Sequence, residues 1–256
     1  MTDPQAIADV LIEAERTRTA VAPITRRYPF LDVDTAYKAQ ALVVEHRVRA
    51  GNRIVGAKLG LTSAVKRRAL GIHEPVYGRL TSDMVLPPGE PVPLHELIAP
   101  RAEPEIAFVV GRRISGAVTV ADVLRATEAV LPAIEIVDTR YASAFRLPDS
   151  VADNAGAARI ALGSHARRPA DLVDLGVLGC VFTSRSGIDT AAGGAAMGHP
   201  AAALVWLAAA LEARGETLDE GTIVLSGGLT ASVRLSAGDI VTAEFDGLGA
   251  ISVRGT

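Results

Sequence analysis

Residues 222–245, TIVLSGGLTASVRLSAGDIVTAEF, hold three short apolar runs, Thr222–Leu225, Ser232–Leu235 and Ile240–Phe245, parted by Gly227-Gly228 and Ala237-Gly238-Asp239. Short runs rich in β-branched residues and separated by turn formers read as successive strands. Working outward, Glu105–Gly111 reads as a strand, Met84–Gly89 as a strand ended by a turn, and Arg53–Lys58 as a strand that leads through Gly60-Leu61-Thr62-Ser63 into a capped helix ending near Leu70. Two helical stretches interrupt the strands, Thr119–Val130 and a run from Pro200 through Leu204, Trp206, Leu207 and Leu211 to Gly215, with the proline suited to a first turn. Strict strand–helix alternation is missing, so the expected class is α+β, with a mixed, mostly antiparallel β core. The first fifty residues repeat a helical period, with Ile7, Val10, Leu11 and Ala14 in residues 4–18 and Tyr37, Ala41, Leu42 and Val44 in residues 35–49. A single domain over 1–256 is expected, residues 1–50 forming a helical N-terminal appendage on a β-rich core at 51–256.

Composition narrows the function classes. A net charge of −3 with interspersed signs advertises no electropositive face, which disfavours nucleic acid and anionic membrane as partners. The one cysteine, Cys180, lies in the apolar run 176–182, so no intramolecular disulfide forms and a buried thiol is expected. The five histidines, at 46, 73, 95, 165 and 199, lack metal-ligand spacing, and His199 before Pro200 reads as an N-cap-region residue. Met1-Thr-Asp-Pro-Gln5 lacks a basic-then-apolar leader pattern, and no run reaches about 18 consecutive apolar residues. A cytoplasmic location is the expectation.

The chemistry is concentrated in acid. In Arg101-Ala-Glu103-Pro-Glu105-Ile-Ala-Phe108 two carboxylates sit two residues apart on a strand and project from one face. Two like charges that close require a shared proton or a cation. A third carboxylate, Glu135, stands between Ile134 and Ile136, where an unpaired charge would cost several kcal/mol. If the two segments are neighbours, three carboxylates and waters make an all-oxygen site of the kind preferred by Mg²⁺ or Mn²⁺. The competing reading has Glu103 and Glu105 solvated at a strand edge and Glu135 paired with Arg140 or Arg101.

Six motifs in order, Gly56-Ala-Lys58-Leu-Gly-Leu-Thr-Ser63, Glu103-Pro-Glu105-Ile-Ala-Phe108, Ile134-Glu135-Ile-Val-Asp138-Thr-Arg140, Val151-Ala-Asp153-Asn154, Gly193-Gly-Ala-Ala-Met-Gly-His-Pro200 and Gly247-Leu-Gly-Ala-Ile-Ser-Val-Arg254, span nearly the whole chain. They resemble the 2-hydroxypentadienoate (2-keto-4-pentenoate) hydratases and 4-oxalocrotonate decarboxylases, cousins of the fumarylacetoacetate hydrolases. The resemblance implies the β core of that superfamily's C-terminal domain, a divalent cation on Glu103, Glu105 and Glu135, a homo-oligomer, and a place in the bacterial breakdown of aromatic rings. It also implies a lyase acting on a small 2-oxo or 2-hydroxy carboxylic acid, which chelates a cation through its carboxylate and 2-oxygen.

A proton carrier must then serve carbon. Lys58 on its apolar strand fits, with burial beside a metal expected to lower its pKa; a surface position or a plain carboxylate clamp is the alternative. Leu61, Thr62 and Ser63 open a helix whose hydroxyls and N–H groups suit the substrate carboxylate, or simply cap it. Ser226, Gly227 and Gly228 resemble a Gly-rich turn that borders the pocket in relatives, although hairpin geometry also explains glycine there. Asp153 and Asn154 orient a pocket group or cap a turn, and Asn154 is taken as substrate-binding.

One departure bears on mechanism. Relatives carry an aspartate after the proline in Pro-Asp-Tyr/Phe-Gly, whereas this chain reads Glu74-Pro75-Val76-Tyr77-Gly78, and Val76 carries no proton. Glu74, Asp83 or water takes over, or the reaction is not hydration. Residues 144–149 also replace a lysine-containing stretch of many members. The expected activity is hydration of a 2-hydroxy-2,4-dienoate to a 4-hydroxy-2-oxo acid. The alternatives are decarboxylation of a 2-oxo-3-enedioate with Arg140 or Arg146 anchoring the second carboxylate, an acylpyruvate hydrolase or isomerase, and a non-catalytic partner in a hetero-complex with a related enzyme.

Overall fold

The computed structural model describes residues 2–256, except for the side chains of Lys66, Ala69 and Leu70. The N-terminal helices are α1 (Pro4–Thr17), capped by the Asp3 side chain on Gln5 N at 3.0 Å, α2 (Ile24–Arg27), and α3 (Val33–Arg49), capped by Asp32 on Thr35 N at 2.6 Å. The buried face of α1 is Ile7, Ala8, Leu11 and Ala14, at the spacing seen in sequence.

Then follow β1 (Ile54–Gly60), α4 (Ala64–Leu70), β2 (Val76–Thr81), β3 (Arg101–Val110), α5 (Val120–Ala126), β4 (Thr127–Val137), α6 (Leu147–Ala152) and β5 (Ala157–Leu162). The chain ends with β6 (Gly179–Ser184), β7 (Gly187–Ala192), α7 (Pro200–Glu212), β8 (Ile223–Leu225), β9 (Val233–Arg234), β10 (Ile240–Phe245) and β11 (Gly249–Arg254). One sheet runs β2-β1-β8-β3-β4-β5, with β9 on the end of β3, and only β1–β8 is parallel in it. A second sheet, β11-β10-β6-β7, is antiparallel throughout. This is the α+β, mostly antiparallel architecture expected, with the helical N-terminus in place.

Three local expectations are corrected. The helix expected over 119–130 stops at Ala126, and β4 begins at once. Its start is read well, since Thr119 and Asp122 form a reciprocal capping box. Pro132 cannot continue a helix, Leu131 before it disfavours helical backbone, and the ladder to β3 claims the segment. Residues 84–89 are not a strand: a turn of 3₁₀ helix covers Ser82–Met84, and Val85 makes a single bridge to Ile160. Pro87 and Pro88 remove the donors that a ladder there would need. Finally, Gly193–Glu212 is long and apolar enough by length and mean hydropathy to cross a membrane, which a count of consecutive apolar residues passes over. In the fold Ala201, Leu204, Leu207 and Leu211 of α7 are buried in the main core beside Phe108, Phe182 and Leu178.

A second core joins Ile7, Leu11, Ile24, Ala39 and Val43 of the N-terminal helices to Val151 and Ala152 of α6. Asp149, fully buried on α6, clasps the two together by accepting from Thr25 N at 2.8 Å, Thr25 Oγ1 at 2.6 Å and Arg146 N at 2.9 Å. Gln40 of α3 donates to Tyr77 O and Val151 O, both at 2.9 Å. The helices therefore brace α6 and β2. Removing the clasp strands buried donors, each costing about 1–3 kcal/mol. We expect Asp149→Ala to lower unfolding free energy in urea by about 3 kcal/mol or more, against well under 1 kcal/mol for a surface control such as Asp9→Ala.

Candidate active site

Arg101, Glu103 and Glu105 alternate along β3 onto one face of the sheet. Register places Glu135 of β4 directly opposite Glu103. On the other side β8 separates β3 from β1 and pairs Leu225 with Lys58. Four charged side chains from three strands thus meet over one patch of sheet. One carboxylate oxygen from each of Glu103, Glu105 and Glu135 lies within 4.8 Å of the others. Glu105 and Glu135 are wholly buried, and Lys58 is 3 % exposed.

Lys58 Nζ stands 3.1 Å from Glu135 Oε2 and donates to Ala155 O at 2.9 Å. Glu135 therefore pairs with Lys58, not with Arg140 or Arg101 as the competing sequence reading held. Glu105 Oε2 accepts from Gly227 N at 2.6 Å, while among the described residues Glu105 Oε1 and both carboxylate oxygens of Glu135 have no hydrogen-bond partner. Fully ionised, three carboxylates against one ammonium would leave an excess of two negative charges, and buried acceptors without donors are costly. Burial and the repulsion of Glu135 hold the Glu105 carboxyl well above the usual carboxylate range, against the pull of Lys58. Burial likewise raises Glu135 over the opposing pull of Lys58. A donor set of three acidic oxygens with a two-charge deficit and orphaned lone pairs fits a hard divalent cation.

The lysine behaves otherwise than expected. Burial pulls its pKa down, but Glu135, Glu105 and Glu103 together outweigh it and raise it. The expectation of a lowered value assumed that a cation already cancels those charges.

Beside the cluster lies a cavity of about 310 Å³, whose lining includes Lys58, Leu61, Thr62, Ser63, Arg101 and Glu103 together with Val76, Phe145, Ser150, Asp153 and Ala155. Of the sequence candidates, Lys58, the three glutamates, Leu61, Thr62 and Ser63 are thus brought together. Gly227 supports the cluster through its N–H to Glu105. Ser226 is fully buried at the end of β8 and does not line the cavity.

Three other candidates fall elsewhere. Asp83 is ion-paired with Arg47 of α3, outside the cavity. Glu74 is exposed in a neighbouring cleft with His73 and Arg146. Asn154 uses its side chain on β2, accepting from Arg79 N at 2.7 Å and donating to Arg79 O at 2.8 Å. The arginines proposed to anchor a second carboxylate are also engaged: Arg140 in a buried pair with Asp153, and Arg146 on Pro29 O at 3.0 Å. Val76 lines the cavity with no acid beside it from the early chain.

Sequence reasoning missed Arg101, although its spacing, two residues before Glu103, carries the same alternation. It also passed over Ser150 and Phe145. The Ala155 carbonyl had no side-chain signal to find.

The glycines of the 226–228 turn answer to packing. A Cβ on Gly227 would stand 2.2 Å from Thr62 Oγ1, and one on Gly228 would stand 2.5 Å from Glu103 Oε2. Gly227 also has φ +105. These residues let the turn press against the cluster, so hairpin geometry alone does not account for them.

A β sheet that gathers three carboxylates and a lysine beside a small cavity is the centre of an enzyme with room for a small molecule. The fumarylacetoacetate (FAA) hydrolase C-terminal family model matches residues 53–254, and the chain belongs to that family. It is similar to the "TodF product hydratase" of Pseudomonas putida, 39 % identical over 249 residues that cover 96 % of this chain and 92 % of that protein. It is 37 % identical over 247 residues to a 2-keto-4-pentenoate hydratase of Paraburkholderia xenovorans, covering 95 % of this chain and 91 % of that protein. The solved 4-oxalocrotonate decarboxylase from Pseudomonas putida G7, complexed with magnesium and adipate, superposes with a TM-score of 0.94 at 34 % identity, covering 99 % and 97 % of the two chains.

Gly227→Ala drives a methyl into Thr62 at a φ that L residues rarely adopt, strain on the order of 1–3 kcal/mol before any displacement. We expect it to lower Tm by several degrees, whereas Gly221→Ala, with open space around its Cβ site but also at positive φ, should lower Tm less.

Proposed function

We propose that the chain is a lyase that hydrates a 2-hydroxy-2,4-dienoate to a 4-hydroxy-2-oxo acid, using Mg²⁺ or Mn²⁺ held by Glu103, Glu105 and Glu135. The observation that carries this reading is the convergence of those three carboxylates, with orphaned buried oxygens, beside Lys58 at the floor of one cavity. When bound, the cation supplies Lewis-acid polarisation of the substrate's 2-oxygen and balances the two excess charges.

The rest belongs to the chain. Thr62 and Ser63, at the mouth of α4, receive the substrate carboxylate. Leu61, Val76 and Phe145 exclude water from one side of the diene. Lys58, hydrogen-bonded to Ala155 O and ion-paired with Glu135, delivers a proton to the far diene carbon and regains the proton that the 2-hydroxyl gives up as the dienol becomes an enone. The enone then accepts the oxygen of water at C4, water loses one proton, and C3 gains one through Lys58, so the amine ends in the protonation state in which it began. With the carboxylate charges balanced, the attraction that raises the Lys58 pKa weakens against the opposing effect of burial, which eases release of its proton.

Decarboxylation of a 2-oxo-3-enedioate is the second reading, favoured by Arg101, which lines the cavity and whose Nε donates to Ser232 Oγ at 2.7 Å. It can receive a distal carboxylate where Arg140 and Arg146 cannot.

Two measurements check the reading. Incubating the enzyme and Mg²⁺ with 2-hydroxypenta-2,4-dienoate should give 4-hydroxy-2-oxopentanoate, and Glu105→Gln or Lys58→Ala should each cut kcat/KM at least 100-fold, a loss of about 2.7 kcal/mol in transition-state stabilisation. Carbon dioxide from 2-oxohex-3-enedioate with no hydration would transfer the assignment to the second reading.

The second measurement is thermal. The folded Glu105 pKa lies above its unfolded value, so the native chain retains a proton that the unfolded chain releases. Metal-free stability therefore falls as pH rises from the unfolded value of about 4.5 through the raised folded one. A cation competes with that proton, so the Tm gained on adding Mg²⁺ should be larger at pH 8 than at pH 5.5. Equal gains, or none, would count against the ligand set.

A further inference from the structure

We infer that Asn154 is a positioning residue: it clamps a left-handed turn over residues 154–156 whose Ala155 carbonyl aims the Lys58 ammonium into the cavity. This rests on the reading of Lys58 as proton carrier.

Asn154, Ala155 and Gly156 have φ of 50, 52 and 72, three consecutive left-handed residues of which only one is glycine. Left-handed backbone in a residue with a Cβ costs roughly 1–2 kcal/mol, and asparagine tolerates it better than alanine. Such a run persists where its surroundings over-determine it, and strained backbone of this kind clusters at functional sites.

The restraints are visible. Asn154 bonds both polar atoms of its side chain to the backbone of Arg79, at 2.7 and 2.8 Å, so the turn is riveted to β2 as if it were another strand. β2 in turn presses close, because a Cβ on Gly78 would stand 2.2 Å from Asn154 O. Upstream, Asp153 is held by Arg140, whose Nη2 also donates to Asp153 O at 2.8 Å. Downstream, Gly156 O accepts from Asp138 N at 2.8 Å.

The output of this clamp is one carbonyl. Ala155 O receives Lys58 Nζ at 2.9 Å, with Glu135 Oε2 at 3.1 Å as the other contact. Of the three N–H bonds of the ammonium, the hydrogen bond to Ala155 fixes one direction, and the Glu135 charge limits rotation about it. Lys58 lines the cavity, so the direction set by Ala155 decides which of its N–H bonds meets substrate. Without the left-handed turn the carbonyl swings away, and the lysine is held by Glu135 alone. Asn154 itself is absent from the cavity lining, and both its polar atoms are engaged, which removes it from direct contact with substrate.

Asn154→Gly tests this, because glycine accepts the backbone angles while losing both bonds to Arg79; Gly78→Ala is a second variant that displaces the same turn from the opposite side. Each is measured with Mg²⁺ by kcat and KM on 2-hydroxypenta-2,4-dienoate and by deuterium exchange at C3 of 2-oxopentanoate, with Mg²⁺ affinity from calorimetry. A misplacement of about 1 Å costs on the order of 100-fold in rate. We expect kcat and exchange to fall about 10- to 100-fold, with KM and Mg²⁺ affinity within about 2-fold, and Lys58→Ala/Asn154→Gly to be no slower than Lys58→Ala. Full kcat in Asn154→Gly, or losses that multiply in the double variant, would overturn the inference while leaving the role of Lys58 intact. Full turnover in Lys58→Ala would overturn both.

Discussion

Three carboxylates and one ammonium taken out of water together set the terms for the rest of this molecule. A buried ion cluster with unequal charges gives no net stability; desolvation alone exceeds what the attraction returns. Its persistence requires a scaffold whose own stability comes from elsewhere, and the main core around Phe108, Phe182 and the inner face of α7 provides it. The cluster also requires rigid placement of each member. All four charged groups stand on strands, not on loops, and the pairing of Glu103 opposite Glu135 is fixed by the register of a ten-residue strand pair. Like charges directly opposite on a sheet are unfavourable, which is the signature of a site kept for what it binds.

The second consequence concerns the parts that touch no charge. The cavity wall facing the cluster is made of α6, the 154–156 turn and Val76, and none of these belongs to the central strands. Their positions are inherited from the N-terminal helices through Gln40 and Asp149 and from β2 through Asn154. The helical N-terminus is thus a structural abutment of the cavity. A change at Thr25, far along the chain, has a direct mechanical route to Ser150 and Asp153.

How much of this was legible in the sequence follows from how local each feature is. The carboxylate triad was legible because strand alternation places Glu103 and Glu105 together, and because a glutamate between Ile134 and Ile136 demands a partner. The helix 119–126 announced its start through Thr119 and Asp122 but not its end, since a strand pairing across the sheet decides where it stops. The replacements offered for Val76 failed for a related reason. Glu74 and Asp83 are near it in sequence, yet Glu74 is exposed and Asp83 is turned outward to Arg47 by packing against α3. Asn154, expected to bind substrate, instead spends its side chain on Arg79, and that partner was hidden because the hydrogen bonds run to backbone atoms.

The absence of an acid at Val76 reshapes the distribution of proton chemistry in the cavity. With a carboxylate there, proton delivery can be divided between two sides of a flat dienoate. Here the Val76 side is apolar, and Asp153, although it faces the cavity, has its oxygens taken by Arg140 and Thr139. Asp138 accepts from Ile98 N at 2.9 Å and Ala99 N at 2.6 Å. Both aspartates that line the cavity are therefore engaged in holding loops. In the proposed mechanism, proton transfer to carbon therefore falls to Lys58, on the side of the cavity where the glutamates lie. Chemistry confined to one face makes the direction of a single N–H bond matter more than the basicity of the amine, and that direction is set by a backbone carbonyl in a strained turn.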